Sequence, residues 1–246
     1  MWLLVDAGNT RLKWRLTDGE RLLEGGGLAM GAELASEFRS VLAAEPTIRR
    51  VIASNVAGVD TAHLIQVTVR ETLGLEVEFV RPAAQFHGLR NGYAVPENLG
   101  TDRWVAMIGA RQVAQGPICI VDCGTAVTLD WISAAGLHAG GMIIPGWRLM
   151  RDCLVAGTQQ IQACIHGNEA PPSDAPGDAT AACISAGTVA CVAGMVEHTV
   201  RKLRAGGEVN CLVSGGDGPA FAAFFDVPHR LVPDLAFHGL LAYARG

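Results

Sequence analysis

The sequence predicts an α/β protein built from two related halves. Three observations carry that prediction: strand and helix patterns alternate along the 246 residues, two strand-turn-strand segments resemble each other 116 residues apart, and half of the residues are hydrophobic. Trp2 to Val5 is an apolar run that reads as a buried strand, and Arg11 to Thr17 reads as a second strand across a short polar turn. Helical spacing follows over Glu33 to Glu45 and Asp60 to Leu73, with strands over Arg50 to Ala53 and Glu76 to Val80. Thr101 to Gln115 reads as a helix that stops at Gly116-Pro117, and a new apolar strand, Ile118 to Val121, starts directly after it. That break divides the chain into expected domains 1–115 and 116–246. In the second half the pattern predicts strands over Val127 to Ile132, Leu137 to Ile144 and Val209 to Val213. Helices are expected over Arg148 to Ala156, Ala179 to Leu203, Pro219 to Phe225 and from Leu235 to the C-terminus. Glu169 to Gly177, with three prolines, reads as a loop.

Composition removes several classes of function. Hydrophobic residues at 50% and charged residues at 17% describe a well-cored globular chain, the opposite of a disordered one. Lys and Arg number 19 against 24 Asp and Glu, with no basic block, so no electrostatic footprint for nucleic acid is present. The seven cysteines form no Cys-x-x-Cys pair, which predicts free thiols in a reducing cytosol rather than a disulfide framework. Cys164 and His166 are neighbours but lack a second ligand pair, so no zinc site is expected. Asp6 interrupts the first apolar run before it could act as a signal-peptide core, and a cytoplasmic protein is expected. Ala179 to Val196 is 18 residues without a charge, the lower bound for a membrane span. Its small residues and two glycines suit a buried helix better, so no membrane is expected.

The repeated segments are Leu3-Leu4-Val5-Asp6-Ala7-Gly8-Asn9-Thr10 and Cys119-Ile120-Val121-Asp122-Cys123-Gly124-Thr125-Ala126. Each is an apolar strand ending in Asp-x-Gly, then a small polar residue and a second strand containing a tryptophan, Trp14 or Trp131. Duplicated hairpins imply duplicated domains, and two facing turns imply a cleft. Glycine lets a backbone turn tightly and approach a ligand, and its N–H groups and adjacent hydroxyls can donate to phosphate oxygens. Asp6 and Asp122 would repel bare phosphate, so they make chemical sense where a metal ion or its waters stand between carboxylate and nucleotide. Lys13, on the outgoing strand, can bring an ammonium to the phosphates or remain a solvated strand lysine. Gly-Lys-Ser/Thr phosphate loops, His-Glu-x-x-His and Gly-x-Ser-x-Gly do not occur, which disfavours Walker ATPases, zincins and serine hydrolases.

Four motifs, Asp6-Ala7-Gly8-Asn9-Thr10, Gly100-Thr101-Asp102-Arg103, Asp122-Cys123-Gly124-Thr125-Ala126-Val127-Thr128 and Gly140-Gly141-Met142-Ile143-Ile144-Pro145-Gly146, resemble in order and spacing the signatures of type III pantothenate kinases. The similarity extends to Ser214-Gly215-Gly216-Asp217, placed like the adenosine-side motif, and to Pro233-Asp234-Leu235 with Gly239-Leu240. That family belongs to the superfamily of acetate and sugar kinases, heat-shock protein 70 and actin. The resemblance implies duplicated ribonuclease H-like (actin-like ATPase) domains with a nucleotide cleft between them. It implies that Asp6, Ala7, Gly8, Asn9, Thr10, Arg11, Leu12 and Lys13 wrap the ATP phosphates with Mg2+, that Thr125 contacts the nucleotide, and that Asp122 holds a monovalent cation, potassium or ammonium. Pantothenate would be bound by Tyr93, Gly100, Thr101, Asp102, Arg103 and Thr180, with Asp102 as catalytic base. The register around Thr180 can slip by one or two residues in its alanine-rich surroundings, and Thr101 stands where a small apolar residue is expected. A homodimer is also implied, with Ala181 to Val196 as the candidate contact.

The Gly100 motif has a chemistry of its own. Asp102 lies in the first turn of an expected helix, where the macrodipole favours the ionised carboxylate. A primary alcohol is too weak an acid to lose its proton in the ground state, so such a carboxylate orients the hydroxyl and takes the proton late. Arg103 offers a planar fork suited to a carboxylate such as that of pantothenate. The plainer alternative is that Asp102 only caps its helix and Arg103 pairs with Glu97. Two further readings share the fold: a kinase acting on a sugar or other small hydroxy acid, and a nucleotide-gated regulatory protein. The second suffers from a chain too short for a peptide-binding domain.

Overall fold

A computed structural model describes residues 1–164 and 172–246. The chain divides into two compact units, Met1–Ala114 with Asp234–Gly246, and Gln115–Pro233. The last segment differs from the expected division, which gave everything after residue 115 to the second half: the C-terminal helix belongs to the first unit, for a packing reason given below.

The first unit is a five-stranded sheet. β1 (Trp2–Ala7) pairs antiparallel with β2 (Arg11–Thr17), which pairs antiparallel with β3 (Leu22–Ala29). After α1 (Leu34–Ala44), β4 (Arg50–Asn55) returns parallel to β1, and after α2 (Val59–Leu73), β5 (Val77–Phe79) pairs parallel with β4. The order is β3-β2-β1-β4-β5. Because strand side chains alternate, Leu3, Val5 and Ala7 share one face, where they form a core with Val51, Ala53, the α1 stripe Leu34, Phe38 and Leu42, and Ile65 and Val69 of α2. Helix α2 ends in a left-handed Gly74 whose N–H returns to the Arg70 carbonyl. A small hairpin, β6 (Gln85–Phe86) with β7 (Leu89–Arg90), leads towards α3 (Thr101–Val113).

The second unit repeats this plan. β8 (Ile118–Cys123), β9 (Ala126–Ile132) and β10 (His138–Pro145) form an antiparallel run with a bulge in β10. Helices α4 (Trp147–Gly157), α5 (Gln159–Cys164) and α6 (Thr180–Arg204) precede β11 (Asn210–Ser214), which pairs parallel with β8. Then α7 (Gly218–Ala222) leads to β12 (Arg230–Leu231), parallel to β11. The order β10-β9-β8-β11-β12 has the pattern of directions found in the first sheet, so the internal resemblance reflects duplicated architecture. Helix α6 is long and apolar enough to cross a membrane by length and composition. Its valines 189, 192, 196 and 200 instead form a stripe packed on Cys119, Val121 and Val213 of the sheet.

Helix α3 is buried on every side from Arg103 to Ala110. The chain re-enters the first unit with α8 (Leu235–Arg245), which packs along α3. The two helices meet at glycines: a Cβ on Gly239 would collide with the Val105 carbonyl oxygen, and one on Gly109 would collide with that of Leu235. This close approach is why the last helix belongs to the first unit.

Strand β3 was not expected. Its Gly25-Gly26-Gly27 run has poor strand propensity, but it is an edge strand over which Trp14 and Arg15 lie where side chains would clash. The short elements β6, β7, α5 and β12 were also unforeseen. Of the expected Cys164/His166 neighbours, His166 lies outside the described residues, as does the first part of the expected loop Glu169 to Gly177. Cys119, Cys123 and Cys211 are buried as small hydrophobes, whereas Cys153, Cys183 and Cys191 are exposed free thiols. Gly239→Ala should overpack the helix crossing and destabilise by about 3 kcal/mol. A thermal midpoint lowered by about 10 °C is the expected result, and an unchanged one would mean the crossing relaxes at no cost.

Candidate active site

In the first unit the turn between β1 and β2 brings Asp6 opposite Lys13, and the parallel pairing with β4 sets Ser54 beside it. These residues point to the sheet face opposite the α1–α2 core. Gly8 N–H closes the turn on the Arg11 carbonyl at 3.1 Å, and the Met30 N–H donates to the Thr10 carbonyl at 3.1 Å. Asn9, Thr10 and Arg11 are exposed, while the side chains of Ala7 and Leu12 are buried in the core, so these two can offer a ligand only their backbone.

Asp102 sits in the first turn of α3 and accepts the Arg103 N–H on Oδ1 at 2.8 Å. A Cβ on Gly100 would come within 2.5 Å of that same oxygen, so glycine at this position leaves the carboxylate its place. Arg103 is 6% exposed, its Nη1 donates to the Tyr93 hydroxyl at 2.8 Å, and its guanidinium lies 5.7 Å from the Tyr93 ring centre. Tyr93 is placed by Asn91: the Asn91 carbonyl oxygen accepts the Tyr93 N–H at 3.0 Å, and its amide donates to the Pro96 carbonyl at 3.1 Å. Asn91 was not singled out from sequence, although an Asn-Gly dipeptide before Tyr93 is a turn signal that could have marked it.

Asp6 has its carboxyl pushed above the ordinary value, first by burial and then by the nearby charge of Asp102, against the lowering effects of Lys13 and of a Ser54 hydrogen bond. Two residues assigned from separate motifs, Asp6 and Asp102, therefore share one electrostatic site with Lys13.

In the second unit the corresponding turn is packed closely by backbone. Asp122 ends β8 opposite Thr128 and beside Ser214. The turn that follows is packed by two other glycine turns. Gly146 N–H donates to the Thr125 carbonyl at 2.8 Å, and a Cβ on Gly146 would collide with the Gly124 carbonyl oxygen. Gly215, at φ +90°, lies against the Cys123 backbone, which also accepts the Asp217 N–H at 2.9 Å. Arg148, also not anticipated, stacks 4.3 Å over Trp147 and donates to both Asp217 oxygens at 2.8 and 3.0 Å. Burial and the charges of Asp122 and Asp217 push the Cys123 thiol up to about 12, so it stays a thiol at neutral pH. Thr180 begins α6 and lines an apolar groove of about 700 Å3 with Pro145, Met150, Leu154 and Ile184.

Residues 2–202 match the family model of type III pantothenate kinase. The chain is 38% identical over 245 residues to a type III pantothenate kinase of Aromatoleum aromaticum, covering 100% of this chain and 98% of that one. It is 36% identical over 247 residues to the type III pantothenate kinase of Azoarcus sp. strain BH72, covering 99% and 90%. This chain belongs to the type III pantothenate kinase family.

Its fold is that of the actin-like ATPases. Among solved structures it resembles the activator of 2-hydroxyisocaproyl-CoA dehydratase from Clostridium difficile with bound ADPNP, at a TM-score of 0.57 and 13% identity over 99% of this chain and 94% of that one. An ATP-using kinase takes its nucleotide with a divalent metal such as Mg2+. Among the described residues no group of three or more His, Cys, Asp or Glu side chains could hold a metal. A donor set of single carboxylates fits a cation held jointly with phosphate oxygens and water, the usual habit of Mg2+.

The Asp6 shift has a sign that can be tested. A carboxyl whose folded pKa is raised costs folding free energy when ionised, above that pKa, and the cost disappears as pH falls below the unfolded value. Asp6→Asn should therefore raise the melting temperature at pH 7, with the gain fading as pH falls towards about 4. A variant that melts lower at pH 7 would show that contacts of the ionised carboxylate outweigh its burial.

Proposed function

We propose that this protein transfers the γ-phosphoryl group of ATP to the primary hydroxyl of pantothenate, giving 4'-phosphopantothenate in the first step of coenzyme A biosynthesis. The observation that carries the residue assignment is the convergence of Asp6, Lys13 and Asp102 at one face of the first sheet, beside the buried Arg103 and its partner Tyr93.

The chemistry follows from those groups. The hairpin from Asp6 to Lys13, through its backbone N–H groups and the Lys13 ammonium, holds ATP phosphates. A divalent metal bound with ATP supplies neutralisation of charge on the phosphate oxygens. Asp102 orients the acceptor hydroxyl, whose oxygen forms the new bond to phosphorus as the bond to the ADP oxygen breaks. The hydroxyl proton passes to the Asp102 carboxylate late in that step. Arg103, fixed by Tyr93, holds the pantothenate carboxylate at a set distance from Asp102, and this pairing of anion fork and base favours a hydroxy acid over a neutral sugar. Gly100 and Thr101 line the same end of α3. In the second unit the turn at Gly124-Thr125 contacts the nucleotide through backbone and the Thr125 hydroxyl, and Asp122 with its neighbouring carbonyls binds potassium or ammonium.

The reading extends to a cytoplasmic homodimer. Support for self-association comes from the apolar groove that includes Thr180 and from Met142 and Ile143, exposed on the edge strand β10. Free cysteines fit a reducing compartment.

ATP turnover by the purified protein should require pantothenate and should rise when sodium is replaced by potassium or ammonium. Turnover indifferent to pantothenate would leave the acceptor unassigned, and Asp122→Ala should reduce the potassium stimulation. Asp102→Asn should lower kcat roughly 10²- to 10⁴-fold with ATP binding retained; near-normal kcat would remove Asp102 as the base. Arg103→Gln should act mainly on pantothenate KM, and an unaltered KM would argue against the carboxylate clamp.

A further inference from the structure

Helix α8 carries none of the residues assigned to ATP or pantothenate, yet it is fastened along its whole length. At its start Arg15 Nη2 donates to both oxygens of Asp234 at 2.9 Å, with Nε at 3.3 Å from one of them. At its end Arg50 donates to the Ala244 carbonyl at 2.6 Å, and Arg245 Nε donates to the Gly19 carbonyl at 2.6 Å. Midway it meets α3 at the glycine crossing, where a Cβ on Gly109 would stand 2.8 Å from the Gly239 nitrogen.

Arg15 reaches Asp234 by lying along the edge strand β3, and the glycine run makes this passage. A Cβ on Gly25 would come within 2.5 Å of Arg15 Cδ, and Arg15 Nη1 also donates to the Leu23 carbonyl at 3.2 Å. The pair is about a third exposed on each side and so less screened than an open surface ion pair. Asp234 is the first residue after the chain returns from the second unit, and Ala114, directly after α3, is the last before it leaves. Both crossings thus lie at ends of the α3–α8 pair.

We propose that Arg15 and Asp234 are a positioning pair for phosphoryl transfer. The ion pair fixes the start of α8, α8 fixes α3 through backbone contact at Gly109 and Gly239, and α3 presents Asp102 and Arg103 at its first turn. Neither residue touches the reactants. Because helix backbones in contact cannot slide without a clash, a shift at Asp234 moves the base and the carboxylate fork together. Displacement of a reacting group by about 1 Å can cost as much as a hundredfold in rate. This proposal rests on the assignment of Asp102 and Arg103 made above.

The test compares Arg15→Gln, Asp234→Asn, the conservative Arg15→Lys, the reversed pair Arg15→Asp with Asp234→Arg, and Asp102→Asn as a reference. Kinetics are measured at a temperature where circular dichroism shows each variant folded. Arg15→Gln and Asp234→Asn should lose roughly ten- to a hundredfold in kcat, with pantothenate KM rising more than ATP KM. Arg15→Lys, which keeps the charge without the fork, should fall between them and the parent, and the reversed pair should recover part of the loss. Folded single variants with parental kcat and pantothenate KM would overturn the proposal. So would a loss that tracks only the unfolded fraction, the signature of a purely structural pair. If the neutral variants do not fold, Arg15→Lys and the reversed pair decide by the same split. An inactive Asp102→Asn beside a normal Asp234→Asn sinks the positioning pair alone, whereas an active Asp102→Asn removes the assignment beneath it.

Discussion

Two backbones in contact govern the first unit. Helices in globular proteins ordinarily pack 8–10 Å apart, spaced by the side chains between them. At Gly109 and Gly239 there are none, and each helix rests on the other's carbonyl and amide groups. Such an interface does not depend on side-chain rotamers, so it has little freedom to drift. It also leaves α3 surrounded by protein from Arg103 to Ala110, which makes the first turn of that helix, with Asp102, a rigid place.

The duplicated sheets show how one architecture supports two kinds of chemistry. Both present an Asp at the end of the central strand, followed by a glycine turn. In the first unit the surrounding groups are side chains: the charges of Lys13 and Asp102 and the Ser54 hydroxyl around Asp6. In the second, the turn is packed against Gly146 and Gly215, each too close for a Cβ, and accepts the Asp217 N–H.

How much of this could be read from sequence depended on the range of the interaction. The hairpins, most of the helices and the stripe of valines in α6 follow from local periodicity, which a sequence displays directly. The motifs marked Asp6, Asp102 and Asp122 by their joint order and spacing, since each alone reads equally well as a turn residue or a helix cap. Strand β3 was missed because Gly25-Gly26-Gly27 carries a turn-like signal, and its reason lies in Trp14 and Arg15, side chains from the neighbouring strand. The same holds for α8. Its apolar pattern gives its existence and type, but its partner is set by Gly109, more than a hundred residues earlier, and glycine has no periodicity to read. Asn91 and Arg148 are likewise defined by what they meet: a Tyr93 amide and a loop carbonyl in one case, Trp147 and Asp217 in the other.

The electrostatics of the first unit point the same way as its packing. Folding alone would not favour a half-buried Asp6 beside a second carboxylate, since desolvation and the Asp102 charge both oppose its ionisation and only Lys13 and Ser54 offset them. A carboxylate pair next to an ammonium is suited to a ligand that brings its own cations. ATP with a divalent metal has that character: a cation able to relieve carboxylates and phosphates able to meet an ammonium. The Asp102 charge stays near Asp6 because α3, which carries it, is pinned against α8 at the glycine crossing.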